Sequence, residues 1–569
     1  MYQTKRRVAL YLALVTPVTA AINWEGFRGS NGSGISTATQ PPLHFGAQNG
    51  VVWRTELPEG KSSPVVTKDR IFLTGHAGEE LITLCLDRGT GKTLWRGAVK
   101  KARTERRNQL NDAAAPTPVT DGNRVIAFFS EFGLVSYDLA GKEEWRVPLG
   151  PFESEHGMAT SPLLAGNAVI LLADVMNDSF MAAFDAKTGE QLWRVKRPDT
   201  LGAYAMPSVY RPEKGPAQLV APGPFEVAGY DLATGERLWW VRGLGHQPKS
   251  PPTIAGDVAY VNMRGWTGNY GSYKQALAQL DKDGDGAISQ EEIAKWGYFA
   301  RYFQGFDFNR NGKLDESEWN EQFGGEEALV AIRLDGRGDV SKTHVLWRHK
   351  KGLPQVPAPL LYQGRLYLVR DGGIVTSFDP ASGAVVKEGR IREAIDTIYS
   401  SPVAAGGYIY FGTLSGRVVV LRAGPEWEKA AVNDLGDEIY ATPFPDEERV
   451  FVRTAKALYC LKEAGEDPAP VISAEAKAAQ TALAEYAGSY KNERGFIVKV
   501  LFEEGTLLFR AGERDYELVR VDGEAFNAQG MPQATKFVFE RAEGGKIVSF
   551  TRSSTWQGKE YSNKLVRAE

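Results

Sequence analysis

The sequence predicts an all-β chain: an eight-bladed β-propeller with a small helical EF-hand insert and a C-terminal small β-barrel. Two repeating signals and one interruption predict it. A proline preceded by small residues recurs as Pro64, Pro118, Pro162, Pro207, Pro252, Pro359, Pro402 and Pro443. The steps run from 41 to 54 residues except one of 107, so one copy carries about 62 extra residues. A turn signature, Asp-x-x-Thr-Gly-x-x-Leu-Trp, recurs in phase with the prolines and ends at Trp95, Trp193 and Trp239, with looser copies at Trp145 and Trp347. Four short strands per ~45 residues, repeated eight times, is the sequence form of a propeller.

Each part of the repeat has a physical reason. The Asp side chain can accept from turn N–H groups, Gly takes the left-handed backbone position, and Trp opens the next strand as a wedge between sheets. Strand-like runs such as 70–74, 125–129 and 408–411 lie between the two signals. The eighth unit ends at Cys460 and Leu461 without a fourth strand, so Val51–Arg54 is expected to complete the last blade and latch the ring. The 61 Gly and 30 Pro suit an architecture rich in tight turns.

Charge and length exclude several classes. Against 70 acidic residues stand 67 basic ones, for a net −3, which leaves no broad basic footprint for nucleic acid or an anionic membrane. The chain opens with Lys5, Arg6 and Arg7, runs apolar from Val8 to Ala20, and offers small residues at Val18–Ala21. That is the pattern of a signal peptide over 1–21, with an uncleaved anchor as the alternative, and it places the protein in the periplasm or outside the cell. The apolar run is shorter than the ~20 residues a membrane span needs, and no later stretch is long enough, so no span is expected in the mature chain. Cys85 and Cys460 fall at equivalent places in two repeats and read as buried free thiols, with a bridge as the alternative.

The long fifth unit breaks after Val258–Met263 and resumes at 328–335, so the insert 264–325 joins the second and third strands of its blade. It holds Asp281, Asp283, Asp285, Gly286, Ala287, Ile288, Ser289 and Glu292 at the spacing of a twelve-residue Ca²⁺ loop. Alternating carboxylates point inward, the Ala287 carbonyl donates, and Glu292 closes the cage. A second loop follows with Asp307, Asn309, Asn311, Lys313 (through its carbonyl), Asp315 and Glu318, with fewer charges and a weaker expected grip. Two Ca²⁺ sites are therefore expected, coupled by a short β-bridge between Ile288 and Leu314. Helical flanks are read over 273–280, 291–303 and 318–323. Trp296, Tyr298, Phe299, Tyr302, Phe303, Phe306 and Trp319 read as their core, an exposed target groove being the alternative.

Loops joining second to third strands share a face with loops that enter the innermost strands, so the insert should stand beside the tunnel mouth. Six residues before the recurrent proline stand Asp112, His156, His246, Asp396 and Asp437; three before it stand Lys61, Tyr204, Lys249, Tyr399 and Tyr440. Symmetry would gather them round the axis. The functional reading is a cofactor-binding or small-ligand pocket; the bland one is a solvated funnel. Arg103, Arg106, Arg107 and Asn108 lie on the long loop feeding blade two.

Over residues 22–463 the Asp-x-x-Thr-Gly-x-x-Leu-Trp units resemble the repeats of pyrroloquinoline-quinone-type β-propellers, and Asn23–Gly32 resembles the lead-in of exported bacterial members. The resemblance implies that ligands bind on the face carrying the insert. The family mixes quinone-dependent dehydrogenases with non-catalytic scaffolds. Many of its enzymes bridge adjacent cysteines over the quinone and place a Trp beneath it; here no Cys-Cys pair exists. The reading is thus a non-catalytic binding or scaffolding protein with an unknown protein or small polar ligand at the mouth. The alternative is a PQQ-dependent alcohol or sugar dehydrogenase. The outer-membrane assembly scaffold of similar shape is lipid-anchored, and no Cys stands at the cleavage point here.

A linker and helix span 464–482. Residues 483–569 resemble the small lipocalin-like domain appended to serine β-lactamase-type hydrolases, through Leu483, Tyr486, Gly488, Tyr490, Leu507, Leu518, Phe526, Phe537, Gly545 and Lys546. Strands are read over 497–502, 506–510, 516–521, 536–540 and 546–552, and the barrel is expected to be filled by its own side chains.

Overall fold

Eight four-stranded units form the ring, and blade four carries one extra parallel strand, Gly338–Asp339. The structure is a computed structural model and describes residues 24–568, apart from 198–201, 265–271, 297–299, 301–302, 308–309, 324–325, 466–481, 504, 513, 530, 532–534 and 557–558. The expected signal peptide, Asn309, Tyr298, Phe299, Tyr302 and most of the expected linker and helix lie outside the described residues.

Within a blade the middle strands are buried on both faces. Arg70–Ala77 and Glu80–Asp87 hide nearly every central residue, because a sheet stands against each of their faces. Outermost strands such as Gln191–Lys196 alternate between part-buried and exposed. Blade-to-blade contact is made by the turn signature. Asp185 Oδ1 accepts from the Thr188 N–H at 2.8 Å, and Gly189 takes φ 75°. Trp145 of the preceding blade lies flat on that turn and donates Nε1–H to the Ala186 carbonyl at 3.0 Å. A Cβ on Gly189 would stand 2.7 Å from the indole. Trp53, Trp95, Trp193 and Trp347 repeat the contact, donating to the carbonyls of Arg88, Leu139, Leu232 and Pro380. Trp239 departs from it. Its neighbour, blade five, lacks the Thr-Gly turn, so Trp239 turns inward and donates to Gln218 Oε1 at 2.8 Å.

Around the axis, the residue before the proline links six of the eight blades in a chain. Ala358 N–H donates to Ser401 Oγ, Ser401 N–H to Thr442 Oγ1, Thr442 N–H to Ser63 Oγ, Ser63 N–H to Thr117 Oγ1, and Thr117 N–H to Ser161 Oγ, all at 2.9–3.1 Å. Hydroxyl acceptors satisfy backbone donors that proline's missing N–H and the loop geometry leave without a ladder partner. The ring closes as expected: Val51–Glu56 pairs antiparallel with Ala457–Leu461, Arg54 opposite Tyr459. Both cysteines are free and buried, and burial pushes each thiol up to about 11.

Residues 24–36 cross the end of the tunnel opposite the entering loops, and 39–50 run on along blades seven and eight. Trp24 bridges to Val66 and stacks on Phe444 at 4.8 Å. Asn31 exchanges two bonds with Val209 of blade four. Arg28, fully buried, donates to the Gly32, Pro359 and Pro402 carbonyls. One strap thus touches strands on opposite sides of the ring.

In blade five the chain leaves after Val258–Asn262 and returns as Leu329–Arg333, which pair directly. Between them stand the helices Tyr273–Leu280, Gln290–Ile293, Phe303–Phe306 and Glu316–Phe323. The helix expected over 291–303 is shorter: it ends at Ile293 and tightens into the 3-10 turn Ala294–Trp296. The C-terminal region is a closed eight-stranded barrel, sealed by the pairing of Gly488–Lys491 with Lys559–Arg567. Three of its strands were not legible as apolar runs: those two and Ala525–Ala528, which are short or interleaved with charge. Its interior is packed with aromatic rings, Phe537 and Phe539 each 5.2–5.4 Å from Phe550. The barrel rests on blade six through Asp515, which is 3% exposed and bonded by Arg390 of the propeller and Arg510 of the barrel.

Candidate functional site: paired acidic loops and the tunnel mouth

The insert's two loops are built alike. Gly286 and Gly312 take φ 81° and 83°, the sharp turn each loop needs. In the first, one oxygen each from Asp281, Asp283 and Asp285 lies within 4.8 Å of the others. Asp281 accepts the N–H groups of Gly284 and Gly286, and Asp285 that of Ala287. Glu292 reaches back across the loop. It accepts the Lys282 N–H at 2.7 Å and the Ser289 N–H and Oγ–H at 2.8 Å each, and these donors hold its carboxyl down to about 2. Three carboxylates gathered so closely repel one another, and their oxygens form the hard donor set that suits a divalent cation. The ammonium of Lys313, from the second loop, meets Asp285.

In the second loop Asp307 accepts the Asn311 and Gly312 N–H groups at 3.0 and 2.7 Å. Glu318 accepts the Asp315 N–H at 3.1 Å. Asp307 and Glu318 are buried. Ile288 pairs with Leu314 as expected, and Ser289 with Lys313. Tyr273, unremarked in the sequence, ties the two loops: its hydroxyl donates to the carbonyls of Gly286 and Leu314 at 2.8 and 3.1 Å. Phe303, Phe306 and Trp319 are buried, with Phe225 of blade four packed against them. They are core.

At the axis, all five residues three before the proline line a cavity of about 370 Å³, with Phe27 of the strap also on its wall. Tyr399 and Tyr440 stack at 5.6 Å, and the Lys61 ammonium sits 4.1 Å from the Tyr440 ring centre. Lys61 also donates to the Leu110 carbonyl at 2.7 Å; burial holds its amine below the usual lysine range. Among the lining residues there is no carboxylate.

The acid and imidazole ring expected six residues before the proline does not assemble. Only His156 lines the tunnel, its ring 5.8 Å from Tyr204. His246 is 2% exposed and stacked on Phe225 at 5.5 Å, with burial pushing its imidazole down to about 3. Asp396, also buried, accepts the Thr397 and Ser415 N–H groups, and Asp437 accepts that of Lys456. Asp112 accepts the Ala114 N–H and borders a neighbouring cavity. The physical reason is that each carboxylate finds backbone donors, in its own loop for Asp112 or also in the adjacent strand turn for Asp396 and Asp437, before it finds the axis. Arg103 and Arg107 pair with Glu105 and Glu131, while Asn108 lines the tunnel.

The family described as outer membrane protein assembly factor BamB matches residues 25–156, 78–241 and 182–467 in overlapping stretches. The chain belongs to this family. A curated relative, the BamB assembly factor of Burkholderia pseudomallei (strain K96243), is 25% identical over 393 residues, covering 65% of this chain and 87% of that protein. Among solved structures, BamB from Moraxella catarrhalis is 12% identical over 68% of this chain and 95% of its own, with a TM-score of 0.42. The quinohemoprotein alcohol dehydrogenase of Comamonas testosteroni is 13% identical over 81% and 85%, with a TM-score of 0.48. The BamB-family match ends before the barrel begins at Gly488. Among the described residues no helix is long and apolar enough to cross a membrane.

Proposed function

We propose that this BamB-family chain is an exported, calcium-binding, non-catalytic scaffold, with an EF-hand pair fixed beside a tunnel mouth that receives a protein or a small polar ligand. The observation that carries it is the convergence of Asp281, Asp283 and Asp285, with Glu292 held over the loop, in a helix-flanked pair joined through Ile288 and Leu314. Asp281, Asp283, Asp285, the Ala287 carbonyl, Ser289 and Glu292 would hold one ion. Asp307, Asn309, Asn311, the Lys313 carbonyl, Asp315 and Glu318 would hold the second. Bound Ca²⁺ supplies charge neutralisation that lets the acidic loops stay closed. That a relative is named an assembly factor supports a protein as the partner and a location outside the cytoplasm.

A quinone-dependent dehydrogenase is the less favoured reading. Both cysteines are buried in the blades, so none stands at the mouth, and the aromatic on the tunnel wall from the strap is Phe27. The barrel, read as a lipocalin-like module, is filled by aromatic rings, which favours a docking or stabilising role over ligand carriage.

Calorimetric titration of the full chain with Ca²⁺ tests the proposal. Two binding events are expected, and Glu292→Gln should weaken the tighter one by about tenfold or more. An unchanged titration would overturn the ligand assignment. Dye-linked alcohol oxidation after loading with the quinone and Ca²⁺ would overturn the non-catalytic reading.

A further inference from the structure

Beside the tunnel, between blades eight and one, lies a second cavity of about 400 Å³ that shares Lys61, Asn111 and Tyr440 with the first. Its charges are arranged unusually. Arg107 on its wall is paired with Glu131, and Glu59 is largely solvent-exposed, 3.7 Å from His76 Nε2 and without a hydrogen bond to it. Four charged groups remain: Arg453 and Lys61, against Asp112 and Glu438. Among the described residues none of the four forms an ion pair, although Asp112 lies close enough to act on both cations. Two positive and two negative groups thus face one another across open space.

Arg453 shows that the positive side is built rather than incidental. It is 1% exposed, and Nη1 is anchored on the carbonyls of Ser62 and Thr74 and on Ser62 Oγ. Nε has no hydrogen-bond partner, and Nη2 reaches only the Pro58 carbonyl at 3.5 Å. Gly60 lies directly against the guanidinium, where a side chain would not fit: a Cβ there would stand 2.6 Å from Nη2. A desolvated guanidinium with unused donors favours a carboxylate, which its two N–H edges match. On the negative side, Glu438 accepts only from the Tyr440 hydroxyl at 3.1 Å, and Asp112 keeps one carboxylate oxygen beyond its bond to Ala114. A simple anion would meet those two carboxylates, and a simple cation would meet Arg453 and Lys61. A ligand carrying both charges satisfies all four.

We propose that this cavity binds a zwitterionic amino-carboxylate, a free amino acid or short peptide, with its carboxylate on Arg453 and Lys61 and its ammonium on Asp112 and Glu438. The proposal rests on neither the calcium nor the scaffold reading. Calorimetric titration of the full chain with L-alanyl-L-alanine, its N-acetylated form and its C-terminal amide tests it. The dipeptide should bind, and either blocked form should bind at least about tenfold more weakly, as expected for the loss of a charged hydrogen-bonding group. Lys61→Gln and Glu438→Gln should each weaken the dipeptide by about tenfold. If Lys61→Gln fails to fold, Glu438→Gln still decides, since its side chain stands at the cavity edge. Equal binding of the N-acetylated form would reduce the cavity to an anion site, equal binding of the amide to a cation site, and no binding of any of the three at millimolar concentration would remove the site. Each of these overturns the proposal.

Discussion

At the residue scale, glycine and tryptophan act as one unit across each blade boundary. Gly189 combines a left-handed backbone with an indole lying where its Cβ would be, so Gly189→Ala is penalised twice. We expect a loss toward the upper end of about 1–3 kcal/mol in denaturant unfolding, against about 1 kcal/mol at Gly122, where the positive φ is penalised but nothing lies within 4 Å. His246 gives a pH prediction. Its folded value near 3 lies below the ordinary 6.5, so the unfolded chain takes up a proton that the folded one refuses between those values. Its contribution is complete above pH 6.5 and falls as pH drops toward 3. His246→Phe, which keeps a ring on Phe225, should therefore lose about 3 kcal/mol less than the parent between pH 8 and pH 4.5. Denaturation midpoints at the two pH values check this.

At the element scale, legibility in the sequence followed how local the physics is. The Thr-Gly turn was legible because its bonds close within a few residues, as Asp185 to Thr188 shows, and the acidic loops because theirs stay within one loop, as Glu292 to Lys282 and Ser289 shows. The tunnel mouth was half legible. Positions three before the proline do reach the axis, but those six before it are captured by backbone donors of the adjacent strand turn at Asp396 and Asp437, or by a neighbouring element at His246. Arg28 and Arg453 could not be recognised at all, since their partners are carbonyls hundreds of residues away. The tie made by Tyr273 belongs to this scale. Tyr273→Phe removes the hydroxyl that joins the loops and, on the calcium-binding reading proposed above, should lower apparent Ca²⁺ affinity at both proposed sites by roughly 0.5–1.5 kcal/mol overall. Calcium titration of that variant checks it; an effect confined to one site would show that the loops act separately.

At the scale of the whole molecule, two closures hold the parts together. One is Asp515, which joins barrel to propeller. Burial alone would raise its carboxyl, but the bonds from Arg510 and the charge of Arg390 outweigh that and hold it below the ordinary 3.8. That stability is present above the unfolded value and is lost as pH falls through the folded one. Asp515→Asn leaves two arginines short of their counter-charge and should cost about 3–5 kcal/mol of the joint. Differential scanning calorimetry should then resolve separate barrel and propeller transitions; a single unshifted peak would show that the joint is held otherwise.

The other closure is the pairing of Val51–Glu56 with Ala457–Leu461, strands some 400 residues apart in the chain. A segment made early must wait, edge bare, until the last blade exists. During that interval it is open to wrong neighbours, including the same edge on another copy. Truncation just short of residue 457 would therefore do more than remove a strand: it would leave a permanently sticky rim.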